Sequence, residues 1–525
     1  MFWAYTVLIS CIKALLIPAY RSTDFEVHRN WLAITHNISI SQWYFEETSE
    51  WTLDYPPLFA WFEFILSQFA QFFDADMLKV ENLNYASENT VLFQRMSVII
   101  TDIVYFYGVY LCITILGKGK RSEIILPILM LANPGLLMVD HVHFQYNGIM
   151  YGILLISICK IMQRKVLQGA FWFTILLCMK HIYVYIAPAY FIYLLTTYCL
   201  TIKSKPSAIN NKPSKEKAKV KDNGKNGNET EESMVIKLNF INCLKLGAIV
   251  VGIAVITFLP FVGHIDQVLS RLFPFKRGLC HAYWAPNFWA LYNLGDKAAM
   301  IVVSKMGLNL NMEKASMTGG LVKEYSHNVL PNISPKMTIL LVAITMMPAI
   351  VKLAKSTHKP NNFIRCIVLC ALSSFMFGWH VHEKAILMAI IPLCILAVVE
   401  PGDTKVYLLL STVGHFSLFP LLFPPNLLFI KLTLVILHSA YAFYSLHNLH
   451  PFQFCQFTLP MLNSVESMYT LGLLPVFLYC EILHGFIPVI NGYQFLPLMI
   501  TSVYCALGVT YSYVKYYVYF LMKCK

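Results

Sequence analysis

The stretch Trp379-His380-Val381-His382-Glu383-Lys384 runs directly into AILMAIIPLCILAVV (385–399) and follows an apolar run that starts near Phe363. Two imidazoles, an acid and a base between two apolar runs mark a membrane border, because ionisable side chains beside hydrocarbon are costly and are kept where they serve a site. A helical run of about 17 to 25 apolar residues crosses a bilayer. Read in those units, spans begin near Phe2, Phe93, Ile124, Gly148, Gly169, Ile182, Cys243, Met337, Phe363, Ala385, Val406, Leu427, Tyr469 and Phe495. The expected fold is an all-α polytopic membrane protein with about fourteen transmembrane helices. Pro57 to Phe73 is also apolar but carries Glu63, Gln68 and Gln71, which suits an interfacial or re-entrant helix. Composition agrees: 57% of the 525 residues are hydrophobic and 13% are charged, which excludes an ordinary soluble domain.

The net charge of +12 is spread over short loops and does not form one face, so no nucleic-acid partner is expected. With a cytosolic amino terminus and alternating spans, the cytosolic loops hold Lys118, Lys120 and Arg121, then Arg164 and Lys165, then the Lys203 to Lys225 run, then Lys352, Lys355 and Lys359. Lys13 and Arg21, near the first span, run against that assignment. The same alternation puts the loops around Asp24, His141, residues 263–336 and His380 together on the opposite face. The organisation expected is an amino-terminal membrane module (1–200) whose loop 20–91 carries the chemistry, a disordered basic cytosolic linker (201–237), and a carboxy-terminal membrane module (238–525) with the long loop 263–336. The first segment has no basic leader and no small-residue cleavage site, so it reads as an uncleaved anchor. Sequons at Asn37 and Asn332 fall on the non-cytosolic face and the one at Asn228 on the cytosolic face. Most of the fourteen cysteines lie inside spans and read as packing residues.

Asp24 and Glu26 follow the first span directly. A carboxylate at the mouth of a membrane cavity can take the proton of a hydroxyl nucleophile, as single-displacement glycosyl transfer requires; Thr23 or Asp24 could equally cap the helix over Val27 to Ile34. Arg29 offers a phosphate contact or a neutralising partner. Asp54, in Leu53-Asp54-Tyr55-Pro56-Pro57, suits a sugar hydroxyl or a helix start. The loop Asp140-His141-Val142-His143-Phe144-Gln145-Tyr146-Asn147-Gly148 puts two imidazoles two residues apart, as His380 and His382 do beside Glu383 and Lys384. These histidines and acids could hold zinc, but hydrogen bonds to sugar hydroxyls and phosphate account for them without metal. Asp74-Ala75-Asp76 matches the DxD pattern of sugar-nucleotide transferases. No glycine-rich phosphate loop supports a nucleotide donor. The stretch from Arg271 to Trp289 mixes Arg271, Lys276 and Arg277 with His281, Trp284 and other aromatics. Rings stack on sugars and cations hold phosphate; an interfacial aromatic belt is the alternative reading.

Thr23-Asp24-Phe25-Glu26-Val27-His28-Arg29-Asn30-Trp31, Leu53-Asp54-Tyr55-Pro56-Pro57, Asp140 to Gly148, Arg271 to Gly278 and Val381-His382-Glu383-Lys384 together resemble, in order and over nearly the whole chain, the endoplasmic reticulum glucosyltransferases that extend the dolichol-linked oligosaccharide for N-glycosylation. Gly278 to Trp289 is similar to the branch that adds the second glucose. The resemblance implies a GT-C fold, a lumenal active site in the endoplasmic reticulum membrane, dolichyl phosphate glucose as donor and a monoglucosylated dolichyl-pyrophosphate-linked oligosaccharide as acceptor. It implies an inverting α-1,3 transfer with Asp24 as general base, Asp54 and His382 or His380 near the donor, and no metal or other cofactor. The wider set of substrate contacts expected is Glu26, Arg29, Asp140, His141, His143, Gln145, Lys276, Arg277, His281, Trp284, Glu383 and Lys384. A lipid-linked donor leaves as an anion, for which Arg29, Arg277 and Lys384 are the expected cations. A flippase or sugar transporter would instead show midplane charges and repeated halves, and a mannosyltransferase differs only in the sugar.

Overall fold

The computed structural model describes the chain except residues 117–120, 205–233, 274–277, 281–284, 307–326, 358, 452–457, 488–491 and 524–525. The expected Lys276, Arg277, His281 and Trp284, like the sequon at Asn228, lie outside the described residues.

Among the described residues the chain is almost entirely helical, and nine helical stretches are long and apolar enough to cross a membrane: Glu88–Leu116, Ser122–Phe144, His181–Cys199, Phe240–Leu272, Pro335–Lys355, Pro360–Phe377, Pro425–Leu449, Ser464–Phe486 and Leu496–Met522. Shorter apolar helices accompany them: Phe2–Leu15 (α1), Asn147–Met162 and Val166–Met179. The runs read from Ala385 and Val406 are helical too, but as Leu387–Ala397 and Pro401–Phe416 they are too short to cross about 30 Å of hydrocarbon alone. Every side chain of Leu387–Ala397 is buried. Its apolar sequence packs against protein rather than lipid, and periodicity alone cannot separate these two environments.

Burial sorts the helices into layers. In Pro360–Phe377 every side chain from Asn362 to Met376 is buried, so this helix is central. In Phe240–Phe258 only Thr257 is buried, while Ile241, Leu244, Val251, Val255 and Ile256 face outward as a lipid-facing surface would. Glu88–Leu116 and Asn147–Met162 touch through glycine: a Cβ on Gly152 would stand 2.5 Å from the Tyr105 nitrogen, and one on Gly108 would stand 2.9 Å from the Gly152 carbonyl oxygen. Small residues allow that approach between membrane helices.

Thr23–Asn37 (α2) and Pro57–Ala70 (α3) lie outside the candidate spans and pack on each other, with His28 Nδ1 2.7 Å from Glu63 Oε1. At the edges of the linker, Leu200–Ser204 (β1) pairs antiparallel with Met234–Leu238 (β2). The linker's ends therefore form a ribbon, which narrows the segment read as structureless.

Three helices fix which motifs share an end of the bundle. Pro360–Phe377 leads from Lys359 to Trp379, Val166–Met179 from Lys165 to Lys180, and Asn147–Met162 from Asn147 to Arg164. At about 1.5 Å per residue each spans more than 20 Å, so the basic ends at 164–165 and 355–359 are opposite the ends carrying Asn147, Lys180 and His380. Lys13, which ran against the charge assignment, is no loop charge: it is buried and its Nζ lies 2.6 Å from Asp102 Oδ2.

Candidate active site

Asp24 sits in the first turn of α2, and the residue that caps this helix is Ser22, whose Oγ accepts from the Asp24 backbone N–H at 3.2 Å. The capping reading for Thr23 or Asp24 is thereby replaced, and the Asp24 carboxylate is left for other partners. Its Oδ2 accepts from Lys384 Nζ at 2.7 Å and from Gln145 Nε2 at 2.6 Å, and lies 3.2 Å from His143 Nε2. Burial acts on this carboxyl most strongly and by itself would raise its pKa. The Lys384 charge, with the hydrogen bond and charge of His143, outweighs it and holds the group well below the usual carboxylate range. A hydroxyl nucleophile arriving here meets an ionised base.

Three connections hold Asp24 in place. The Ser22 N–H and Oγ both donate to the His143 carbonyl, at 3.1 and 2.5 Å. Arg95, 2% exposed, donates to the carbonyls of Tyr20 at 2.7 Å and of His141 and Val142 at 2.9 Å. One guanidinium thus ties the entry to α2 to the wide π-helical turn Leu137–Phe144. That turn ends where Phe144 takes φ 94°, which a bulky residue adopts only under surrounding constraint.

Alternation within this turn separates two histidines that look equivalent in sequence. His143 faces Asp24, whereas His141 Nε2 faces Asp102 Oδ2 at 2.9 Å and joins the buried Lys13–Asp102 pair. His141 is therefore part of the scaffold rather than of the Asp24 cluster. Asp140 accepts from Asn147 Nδ2 at 2.8 Å and from the Gly148 N–H at 2.6 Å, which satisfies the start of Asn147–Met162. Asn147 Nδ2 also donates to Gln145 Oε1 at 2.7 Å, so an amide chain runs from Asp24 through Gln145 to Asn147.

The second His-Val-His element divides in the same way. His380, at φ 53°, donates its N–H to the Leu279 carbonyl at 2.9 Å and brings Nδ1 to 2.8 Å from the Gly278 carbonyl, while Val381 bridges Cys280. It tethers the long loop. His382 Nδ1 lies 2.9 Å from Glu383 Oε2 and caps the turn Glu383–Ile386. Burial, then the Lys384 charge, push the His382 imidazole well below its ordinary pKa, and Asp24 and His143 also act on it. His380 is thus held by carbonyls of the long loop, and His382 stands two residues before Lys384, which touches Asp24.

Glu26 and Arg29 are not brought to that cluster. Arg29 donates to both Glu26 oxygens at 2.7 and 2.8 Å and to the carbonyls of Met77 and Lys79 at 2.8 and 3.1 Å, and is fully buried. The pair fastens α2 to the turn Ala75–Leu78, and the Glu26 carboxylate is engaged bidentately by Arg29. Asp74 is likewise structural. It caps that turn through the Asp76 N–H and accepts from Tyr85, Ser87 and Thr90, while Asp76 pairs with Lys79, so the DxD match marks a turn. Among the described residues no group of three or more His, Cys, Asp or Glu is arranged as a metal site.

The sequence reading missed Lys180. Its Nζ donates to Asn147 Oδ1 at 3.1 Å and lies 4.9 Å above the Tyr55 ring. Burial first, then the Lys384 charge, push its amine down to about 8 against the longer-range pull of Asp140, Asp24 and Asp54. Its signal was a lone cation between two apolar runs, without a motif around it.

The chain matches the model of the ALG6, ALG8 glycosyltransferase family over residues 9–516. It is 48% identical over 532 aligned positions to the dolichyl pyrophosphate Glc1Man9GlcNAc2 alpha-1,3-glucosyltransferase of Mus musculus, covering 98% of this chain and 95% of the mouse protein. It is 42% identical to the protein of that name in Neurospora crassa, covering 98% and 97%, and 39% identical to that in Arabidopsis thaliana, covering 98% and 96%. With Asp24, His143 and Lys384 drawn to one end of a many-spanned helical bundle, the chain is a membrane glycosyltransferase and belongs to the ALG6, ALG8 family.

Proposed function

We propose that this enzyme moves glucose from dolichyl phosphate glucose to the monoglucosylated oligosaccharide on dolichyl pyrophosphate, forming an α-1,3 linkage at the lumenal face of the endoplasmic reticulum membrane. The names of its relatives support the acceptor and the linkage. The chemistry rests on one observation, the Asp24 carboxylate kept ionised between Lys384 and His143.

In this reading Asp24 removes the proton of the acceptor hydroxyl as its oxygen bonds to the anomeric carbon. The bond from that carbon to the phosphate oxygen breaks with its electron pair, dolichyl phosphate departs, and the configuration inverts. Lys384 keeps the base charged before the step, and His143 and His382 line the approach. The polyprenyl chains stay in the bilayer, at about 0.8 kcal/mol per buried methylene, so only headgroups enter and no nucleotide domain is needed. Purified enzyme is to be given dolichyl phosphate glucose or dolichyl phosphate mannose with the monoglucosylated acceptor, and the product weighed by mass spectrometry. Hexose addition from the glucose lipid alone is expected; addition from the mannose lipid alone would overturn the donor assignment.

A further inference from the structure

We propose that Lys180 is the cation that receives the phosphate of the lipid-linked donor as the glycosidic bond breaks. The inference rests on the donor assignment above and starts from how three cations among the described residues are held. A departing phosphate needs positive charge on the far side of the anomeric carbon from the base. Arg29 is consumed by Glu26 and two carbonyls, and Arg95 by three carbonyls. Lys384 lies 2.7 Å from Asp24 Oδ2. A cation touching the base cannot also lie across a sugar ring from it.

Lys180 differs on each point. Among the described residues no carboxylate is in ion-pair contact with its ammonium, which is half-buried and held by the Asn147 amide oxygen and the Tyr55 ring. It joins the base through two intervening amides, Gln145 at 2.6 Å from Asp24 and Asn147 at 2.7 Å from Gln145. Set apart from the base by these two amides, the ammonium can face the opposite side of a bound sugar. Tyr55 and Asn147 aim the ammonium without neutralising it, so its charge is available to an anion. When the bond from anomeric carbon to phosphate oxygen breaks, the second negative charge that develops on dolichyl phosphate falls to Lys180; the acceptor proton goes to Asp24.

The acceptor's pyrophosphate presents the same chemistry, and kinetics separate the two sources. Wild type, Lys180→Met and Lys180→Arg are assayed with donor and acceptor varied independently and with dolichyl phosphate as product inhibitor. Lys180→Met is expected to raise the donor KM and the inhibition constant of dolichyl phosphate at least tenfold, leave the acceptor KM unchanged, and be partly rescued in Lys180→Arg. An unchanged donor KM and product inhibition in Lys180→Met, or an effect confined to the acceptor KM, would overturn the proposal. If Lys180→Met does not fold, Lys180→Gln is assayed in its place: a raised donor KM and inhibition constant sustain the proposal, and wild-type values of both overturn it. Failure of wild type to use dolichyl phosphate glucose would sink the donor assignment instead.

Discussion

Lys384 Nζ lies 2.7 Å from Asp24 Oδ2 across 360 residues of sequence. The contact joins the entry to α2 to the turn before Leu387–Ala397, so the two halves of the chain complete one site between them. Burial by itself would raise the pKa of this carboxyl, and the ammonium lowers it. The carboxy-terminal half thus helps keep the amino-terminal acid ionised.

Replacing Asp24 by Asn removes the proposed base and keeps the shape. Glucose transfer is expected to fall by roughly 10² to 10⁴, with unchanged yield and helical circular dichroism. Near-normal transfer by this variant would remove Asp24 from the role.

Lys384→Met tests how Asp24 is kept ionised. The carboxyl is depressed in the folded enzyme and, as the proposed base, acts only when deprotonated, so the acid limb of wild-type activity lies at low pH. Without the ammonium, burial is opposed by His143 and the Gln145 amide but by no lysine charge at contact distance, and the pKa rises. The acid limb of the pH–rate profile is expected to move to higher pH; a limb that stays in place would show that Lys384 does not hold the charge.

Arg95→Met strips three carbonyls, two of them buried, of this donor. A loss of about 2–3 kcal/mol is expected, as for charged hydrogen bonds left unmade. Thermal unfolding in detergent measures it, and turnover should fall with it because Asp24 and His143 lose their common anchor.

The site reading assigns no step to a metal, so transfer is expected to persist in EDTA. Asp74→Ala should cost about 1 kcal/mol of stability through the lost cap and leave the donor KM unchanged. Loss of activity on chelation, restored by a divalent ion, would reopen the DxD reading.

Several of these features were legible in the sequence because they are local. The apolar runs, the basic loops between them and the polar stretches at their ends follow from hydrophobic transfer and from charge, which act residue by residue. That is why Asp24, His143, Gln145 and Lys384 could be named as candidates before any coordinates. The same local logic also named His141, Glu26 and Arg29, which carry identical chemistry and are spent on the scaffold. Two histidines two residues apart on a helical turn point to different sides, and no pattern says which side holds the substrate.

Lys180, the proposed phosphate cation, is the reverse case. Nothing near it in sequence marks it, and its position beside Tyr55 and Asn147 arises from three separate segments meeting. By itself the sequence determined the helices, the membrane and the set of ionisable groups, since each depends on the nature of one residue or of a short run. Tertiary structure alone decided which charges neutralise one another and which remain for a substrate. Charge pairing depends on distances of a few ångströms between residues hundreds of positions apart, and only the packed chain sets those distances.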